Sequence, residues 1–267
     1  RDLVRSRGLG DVYKRQTSQL ISGLTCLIYM YKKYDILKGD KSERVLDRRF
    51  ITNLCMNGVP MGLQYSITAI GSTILQAAVN TLGSTYVAAM TAGSKMFNFT
   101  CCPFDALGST MATYAGQNVG AAKIKRLGQG VRSAMIIGSV YSVLSLVALY
   151  FTSDYIALLF VNASETTIIA LTRQFILASA CFYIPLTGVN VVRFCIQGMG
   201  FSVFAISAGI LEMIGRAFAA IILIPSIGFM GACLASPIAW IAADAFLFPA
   251  FIHCAKKLNA RHNIKSN

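Results

Sequence analysis

The chain has 267 residues, 55% hydrophobic and 13% charged, with a mean hydropathy of +0.59. Soluble domains carry about 25% charged residues, so this composition excludes an ordinary water-soluble domain, and the lack of strand-period alternation argues against an outer-membrane barrel. The net charge of +13 would suggest nucleic acid in a soluble protein, but here the bases gather in loops between apolar runs, which reads as membrane topology with no nucleic-acid partner.

In chain order, residues 1–16 (RDLVRSRGLGDVYKRQ) are basic and lack both an apolar core and a signal-peptide apolar region. They are expected to be a foreign or mis-assembled start, unpacked and dispensable. From Thr17 an apolar run of roughly 15 residues is too short to span comfortably. Residues 17–50 therefore read as the end of a membrane helix followed by a basic loop containing Lys38, Lys41 and Arg44. The apolar pattern then predicts six complete spanning helices, over 51–80, 85–116, 133–151, 168–192, 203–224 and 229–253, within a lobe of residues 51–255; a basic tail follows at 256–267. The first should bend at Gly58-Val59-Pro60, because proline removes a backbone bond. It also carries a polar stripe, Gln64, Ser66, Thr68 and Ser72, which should face other helices or a cavity rather than lipid.

The loops alternate in charge. Residues 32–49 and 117–132 are basic, 81–84, 152–167 and 225–228 carry no Lys or Arg, Arg193 stands alone, and the tail is basic. Such bias sets orientation, so the basic loops and the C-terminus are expected in the cytoplasm. Small residues in Pro103–Arg126 (Ala106, Gly108, Ser109, Ala112, Ala115, Gly116) should let helices approach closely. The eight cysteines lie almost all in apolar runs, and none has zinc-ligand spacing with His253 or His262, so they read as small apolar filler and no metal site is expected. Nor is there a nucleophile with a base or a phosphate loop, so no enzyme is expected.

With that topology, six segments in order resemble the multidrug and toxic compound extrusion (MATE) family of antiporters: GVPMGLQYSITAIGS at 58–72, LGSTYVAAMTAGSK at 82–95, PFDALGSTMATYAGQNVGA at 103–121, RFCIQGMG at 193–200, LEMIGR at 211–216 and SPIAWIAAD at 236–244. The resemblance implies an all-α membrane protein corresponding to the C-terminal lobe of a twelve-helix antiporter, with the tail of the preceding helix. It implies export of drugs or other organic, often cationic, compounds across the cytoplasmic membrane against Na⁺ or H⁺, with no tightly bound cofactor. The N-terminal lobe would be the missing partner, and alternating access around a central site the physical account. Two acids of some family members fall, on alignment, at Thr68 and Leu186, so this chain lacks them. A flippase for lipid-linked oligosaccharide, from the same superfamily, would need a cationic cavity for pyrophosphate; the mixed charges here favour the exporter. A non-transporting membrane fragment is the third reading.

Several residues are candidates for binding substrate or coupling ion: Asp105, Gln64, Thr68, Lys95 and Asn190. A charge at mid-membrane costs about 2.5–3.5 kcal/mol on insertion scales, so Asp105 needs a partner or a function. Lys95 is ten residues away, about 15 Å along one helix, and cannot pair with it directly. Glu212 and Arg216, spaced i, i+4, are expected to form a structural charge pair. Asp244 is read as a packing or polar anchor near Trp240, and Arg193 as an anchor at the cytoplasmic interface.

Overall fold

A computed structural model describes the backbone of residues 2–34 and 47–266, with side chains described there except at 2–12, 15, 57 and 261–266. Lys38, Lys41 and Arg44 of the basic loop lie outside the described residues. Those described form helices and turns, with no strand among them. The helices are α1 (Asp2–Lys33), α2 (Arg48–Asn80), α3 (Ser84–Gly120), α4 (Lys125–Ala157), α5 (Thr166–Ala180), α6 (Tyr183–Gly198), α7 (Ser202–Phe218), α8 (Ile224–Ile227) and α9 (Phe229–Ser266), with a π-helical segment, Ala219–Leu223, between α7 and α8. Lys125–Ala157, Ser202–Ile227 and Phe229–Ala260 are long and apolar enough to cross a membrane, and α5 with α6, bent by 53°, makes a fourth span if counted as one.

The chain forms two compact units, Arg1–Asn53 and Leu54–Asn267. In the first, the helical backbone of α1 begins at Asp2, so the composition break at residue 16 is not a break in the backbone. The second unit holds most of α2 and all of α3–α9, and everything below concerns it.

Here α6 occupies the middle, packed against α3, α4, α7 and α9. Eleven of its sixteen residues are buried, on every side of the helix. Small residues make this possible. A Cβ on Gly108 of α3 would meet the Phe194 ring at 2.7 Å, and Gly198 of α6 abuts the main-chain carbonyl of Ala112. Gly138 of α4 lies against Thr187, and Gly188 of α6 against the Asp244 carboxylate of α9.

At the bundle's edge, α4 behaves differently. Its nine buried residues, Leu127, Val131, Ala134, Gly138, Ser142, Ser145, Leu149, Ser153 and Ala157, recur every three or four positions as one stripe. That stripe is rich in Ser, Gly and Ala, while Ile136, Ile137, Val140, Leu144 and Phe151 are exposed. A helix with its larger apolar groups outside and its hydroxyls inside suits lipid, not water.

The predicted helix over 168–192 is in fact two, broken at Cys181–Phe182. Pro185 explains the break: it lacks an N–H for the Cys181 carbonyl and its ring would clash there. In the first turn of α6 the same proline is tolerated. Pro225 similarly removes the bond to Ile221, inside the π-helical segment where the helix widens. Gly200 (φ 84°) and Gly228 (φ 61°) make the reversals into α7 and α9, a left-handed backbone that glycine adopts without strain. Other ends shift by several residues. α4 starts at Lys125, inside the loop predicted over 117–132, and α9 continues through the predicted tail to Ser266.

Candidate functional site

Five helices of the second unit surround a cavity of about 400 Å³. On α3, α6, α7 and α9 the lining residues recur every three to four positions, so each of these helices offers one face. α6 contributes Leu186, Asn190 and Arg193; α3 contributes Phe97, Cys101 and Asp105; α7 contributes Glu212 and Arg216. From α2 come Gln64 and Tyr65, and from α9 Ser236 and Trp240.

The floor of the site is ionic. Glu212, buried to 3% exposure, is shared by two guanidinium groups. Arg193 reaches it from α6 as an ion pair. Arg216 approaches its second oxygen at 3.4 Å from one turn further along α7. Arg216 Nη1 also donates to the main-chain carbonyl of Thr68 on α2 at 3.4 Å. Buried charges persist when paired in this way, because the alternative is an uncompensated charge in a medium of low dielectric. Beside them, Gln197 Nε2 donates to Gln64 Oε1 at 2.6 Å, tying α6 to α2.

The other wall is aromatic, with one acid. Phe97 and Trp240 stack with ring centroids 5.8 Å apart and planes 11° from parallel. Asp105 is exposed on the cavity and, among the described residues, carries no ion pair. An aromatic wall beside an unpaired carboxylate can hold a positively charged, flat organic group by Coulomb attraction and cation–π contact.

Of the sequence candidates, Asp105, Gln64 and Asn190 meet in this cavity, together with Glu212 and Arg216. Lys95 does not join them. It lines a separate cavity of about 610 Å³ with Thr91, Asn162 and Glu165, its ammonium 5.5 Å from the Phe160 ring centroid. Thr68 lies behind the site, its buried hydroxyl lacking a hydrogen-bond partner, and Leu186 stands on the cavity wall.

Arg193 corrects the sequence reading. It is no interfacial anchor but is 7% exposed and salt-bridged inside the bundle. Its signal was available as the stripe Leu186, Asn190, Arg193 at helical spacing, whose polar members have no place on a lipid-facing side. Asp244 packs against Gly188 of α6. No group of three or more His, Cys, Asp and Glu residues suited to a metal ion occurs among the described residues.

Known proteins share this fold. The MatE family model matches residues 60–222. Two curated relatives from Bacillus subtilis (strain 168) are similar: a probable multidrug resistance protein YpnP, 30% identical over 68% of this chain and 40% of its own length, and a probable multidrug resistance protein YoeA, 25% identical over 60% of this chain and 35% of its own. Among solved structures, a MATE protein in complex with MaL6 aligns with a TM-score of 0.80 at 16% identity, over 89% of this chain and 55% of that one. The Vibrio cholerae MATE transporter VcmN in its bent form aligns at 0.78 and 18% identity, over 89% and 54%. At these identities the structures speak for the fold alone. The chain spans well under half the length of the two curated relatives and about half that of the solved structures.

Proposed function

Because the chain belongs to the MatE family of transporters, we propose that it forms one lobe of a drug exporter that moves organic cations out across the cytoplasmic membrane in exchange for inward H⁺ or Na⁺. The other lobe would come from the rest of a longer protein, and the two would rock about a site between them. The observation that carries this reading is the cavity itself, whose lining includes both an unpaired Asp105 and the Phe97–Trp240 stack. Its remaining charges, Arg193, Arg216 and Glu212, are already engaged with one another. A cavity built for a pyrophosphate would need free guanidinium or ammonium groups, so the exporter is favoured over a lipid-linked oligosaccharide flippase.

In this reading six helices cross the membrane: α2, α3, α4, α5 with α6, α7 through α8, and α9. α2 and α3, at 33 and 37 residues, are long enough, and their polar faces turn to the cleft. The turn at Lys123 and the C-terminus lie in the cytoplasm, and Ser164 lies outside. Cysteine substituted at Ser164 should react with an impermeant reagent in intact cells and one at Lys123 should not; the reverse pattern would overturn the topology.

The site is tested by Asp105→Asn in the full-length protein, with ethidium efflux as the readout. The change keeps the shape and removes the charge, so the protein should insert at normal levels and lose most of its coupled efflux. Undiminished efflux with unchanged pH and Na⁺ dependence would remove Asp105 from the mechanism. Loss of insertion would make it a structural residue.

A further inference from the structure

The second cavity of this unit has no part in the transport reading. It lies between the start of α3 and the connection from α4 to α5. Thr91 and Lys95 line it on one side, and Phe160, Asn162 and Glu165 on the other. It holds two charges of opposite sign, yet they do not meet: among the described residues neither Lys95 nor Glu165 takes part in an ion pair. The Lys95 ammonium stands 5.5 Å from the Phe160 ring centroid, where cation–π attraction holds it against the connection. Glu165 sits at the N-terminal cap of α5 but makes no cap hydrogen bond, which leaves its carboxylate to the cavity. Apolar surface adjoins these charges. Phe99, one turn further along α3 on the side of Lys95, is 84% exposed, and Leu159 in the connection is 78% exposed.

A cation and an acid that share a cavity of about 610 Å³ without pairing leave room for a guest that carries both signs. We propose that this cavity is a seat for the headgroup of an aminophospholipid, with the phosphate on Lys95, the primary ammonium on Glu165 and the acyl chains on the Phe99 side of α3. A lysine within a spanning helix carries its ammonium toward the membrane surface on a long apolar stem, and lipid phosphates lie at that level. The bound lipid would join α3 to the α4–α5 connection through one charge on each. The inference rests on the transport reading for placing this end of the lobe at the outer face of the membrane.

Other guests suit the cavity less well. A purely anionic headgroup would gain Lys95 but meet the Glu165 carboxylate, and an unfavourable contact of this kind discriminates as strongly as a favourable one. A choline headgroup has no N–H to donate to Glu165, and the Phe160 ring that could receive its methyl groups already faces the Lys95 ammonium. A soluble phosphate ester satisfies both charges but leaves Phe99 and Leu159 uncovered, and so forgoes the apolar burial that acyl chains supply.

Native mass spectrometry of the purified full-length protein in detergent tests the seat. Phosphatidylethanolamine, phosphatidylglycerol and phosphatidylcholine of the same acyl chains are titrated in turn, with soluble phosphoethanolamine as a fourth ligand. Phosphatidylethanolamine should bind most tightly. Lys95→Gln should weaken it about tenfold, the loss of one charge-assisted hydrogen bond, and Lys95→Arg should restore most of the binding. Glu165→Gln should abolish the preference for phosphatidylethanolamine over phosphatidylglycerol, since it removes both the partner of the amine and the charge that repels an anion. Phosphatidylglycerol or phosphatidylcholine binding as well as phosphatidylethanolamine in the unsubstituted protein would overturn the proposal, as would an unchanged affinity in Lys95→Gln. Soluble phosphoethanolamine binding as tightly as the lipid would overturn the lipid as the guest. Should Lys95→Gln fail to insert, Glu165→Gln in the connection decides alone: an unchanged preference overturns the seat and a lost one supports it. Ethidium counterflow in proteoliposomes, measured separately, tests the transport reading. Its absence beside intact lipid selectivity would remove that reading and leave the seat, whereas intact counterflow without lipid selectivity would remove the seat alone.

Discussion

Helices α4 and α6 lie side by side in one bundle, and both read in the sequence as apolar runs, yet they are opposite in construction. α4 buries a single stripe of small residues and hydroxyls and turns Ile, Val, Leu and Phe outward. α6 is buried all round, carries Thr187, Asn190 and Arg193 inside the protein, and meets its neighbours through Gly188 and Gly198. In a membrane the outside is as apolar as the inside, so hydrophobicity does not separate the two helices. What separates them is polarity at helical spacing and the size of the residues at each crossing. Substitutions on α6 should therefore be felt far more than those on α4.

The largest difference is expected for charge. Arg193→Ala removes one of the two guanidiniums on Glu212 and leaves a buried carboxylate partly uncompensated, at a cost of about 3–5 kcal/mol. Ile137→Ala on the exposed side of α4 should stay within about 0.5 kcal/mol. Thermal unfolding of the full-length protein in detergent measures both. Equal losses would break the contrast, since they would mean that α4 packs as tightly as α6.

A smaller difference is expected for bulk. Gly198 of α6 abuts the main-chain carbonyl of Ala112, and a main chain within a helix cannot step aside as a side chain can. Gly198→Leu should destabilise by about 1–3 kcal/mol through overpacking. Gly128 of α4 has nothing near its would-be Cβ, so Gly128→Ala should raise stability, by up to about 1 kcal/mol. Opposite signs in the same melting assay sharpen the comparison, and a loss at Gly128 would break it.

The contrast also shows what the sequence made legible. Apolar runs bounded by Gly and Pro located α2, α3, α7 and most of α9, and the polar residues of α2 and α3 pointed to Gln64 and Asp105 on a cavity. The split of α5 from α6 was legible too, had Pro185 been read four residues back to the carbonyl it deprives. The relation of Arg193 to Glu212 was not. They lie nineteen positions apart on different helices, and only the turn at Gly200 brings them face to face. Lys95 lies apart from the other candidates, because the intervening length of α3 carries its ammonium to another cavity. The i, i+4 spacing of Glu212 and Arg216 did foretell their proximity, since a helix fixes it locally, but not the second arginine that makes the pair a network.

The smallest expected effect isolates surroundings from chemistry. Arg173 of α5 and Asp154 of α4 form an ion pair at 2.7 Å, of the same arginine–carboxylate type as that of Arg193 with Glu212. Arg173 also lies over the Tyr150 ring, 5.7 Å from its centroid. The difference is exposure: these side chains are 37% and 47% accessible, against 9% and 4% for Arg193 and Glu212. Where water reaches both partners, each is solvated when the other is removed, and the pair gains little over two separate ions. Asp154→Asn should therefore cost about 0–1 kcal/mol, and that small cost should vanish on raising salt from about 0.15 M to about 1 M, where screening acts over roughly 3 Å. The cost of Arg193→Ala should persist in the same salt, because mobile ions do not enter the bundle. If Asp154→Asn proved as damaging and as insensitive to salt, the α4–α5 edge would be covered in the full-length protein, and the division of this lobe into a buried middle and an exposed rim would have to be redrawn there.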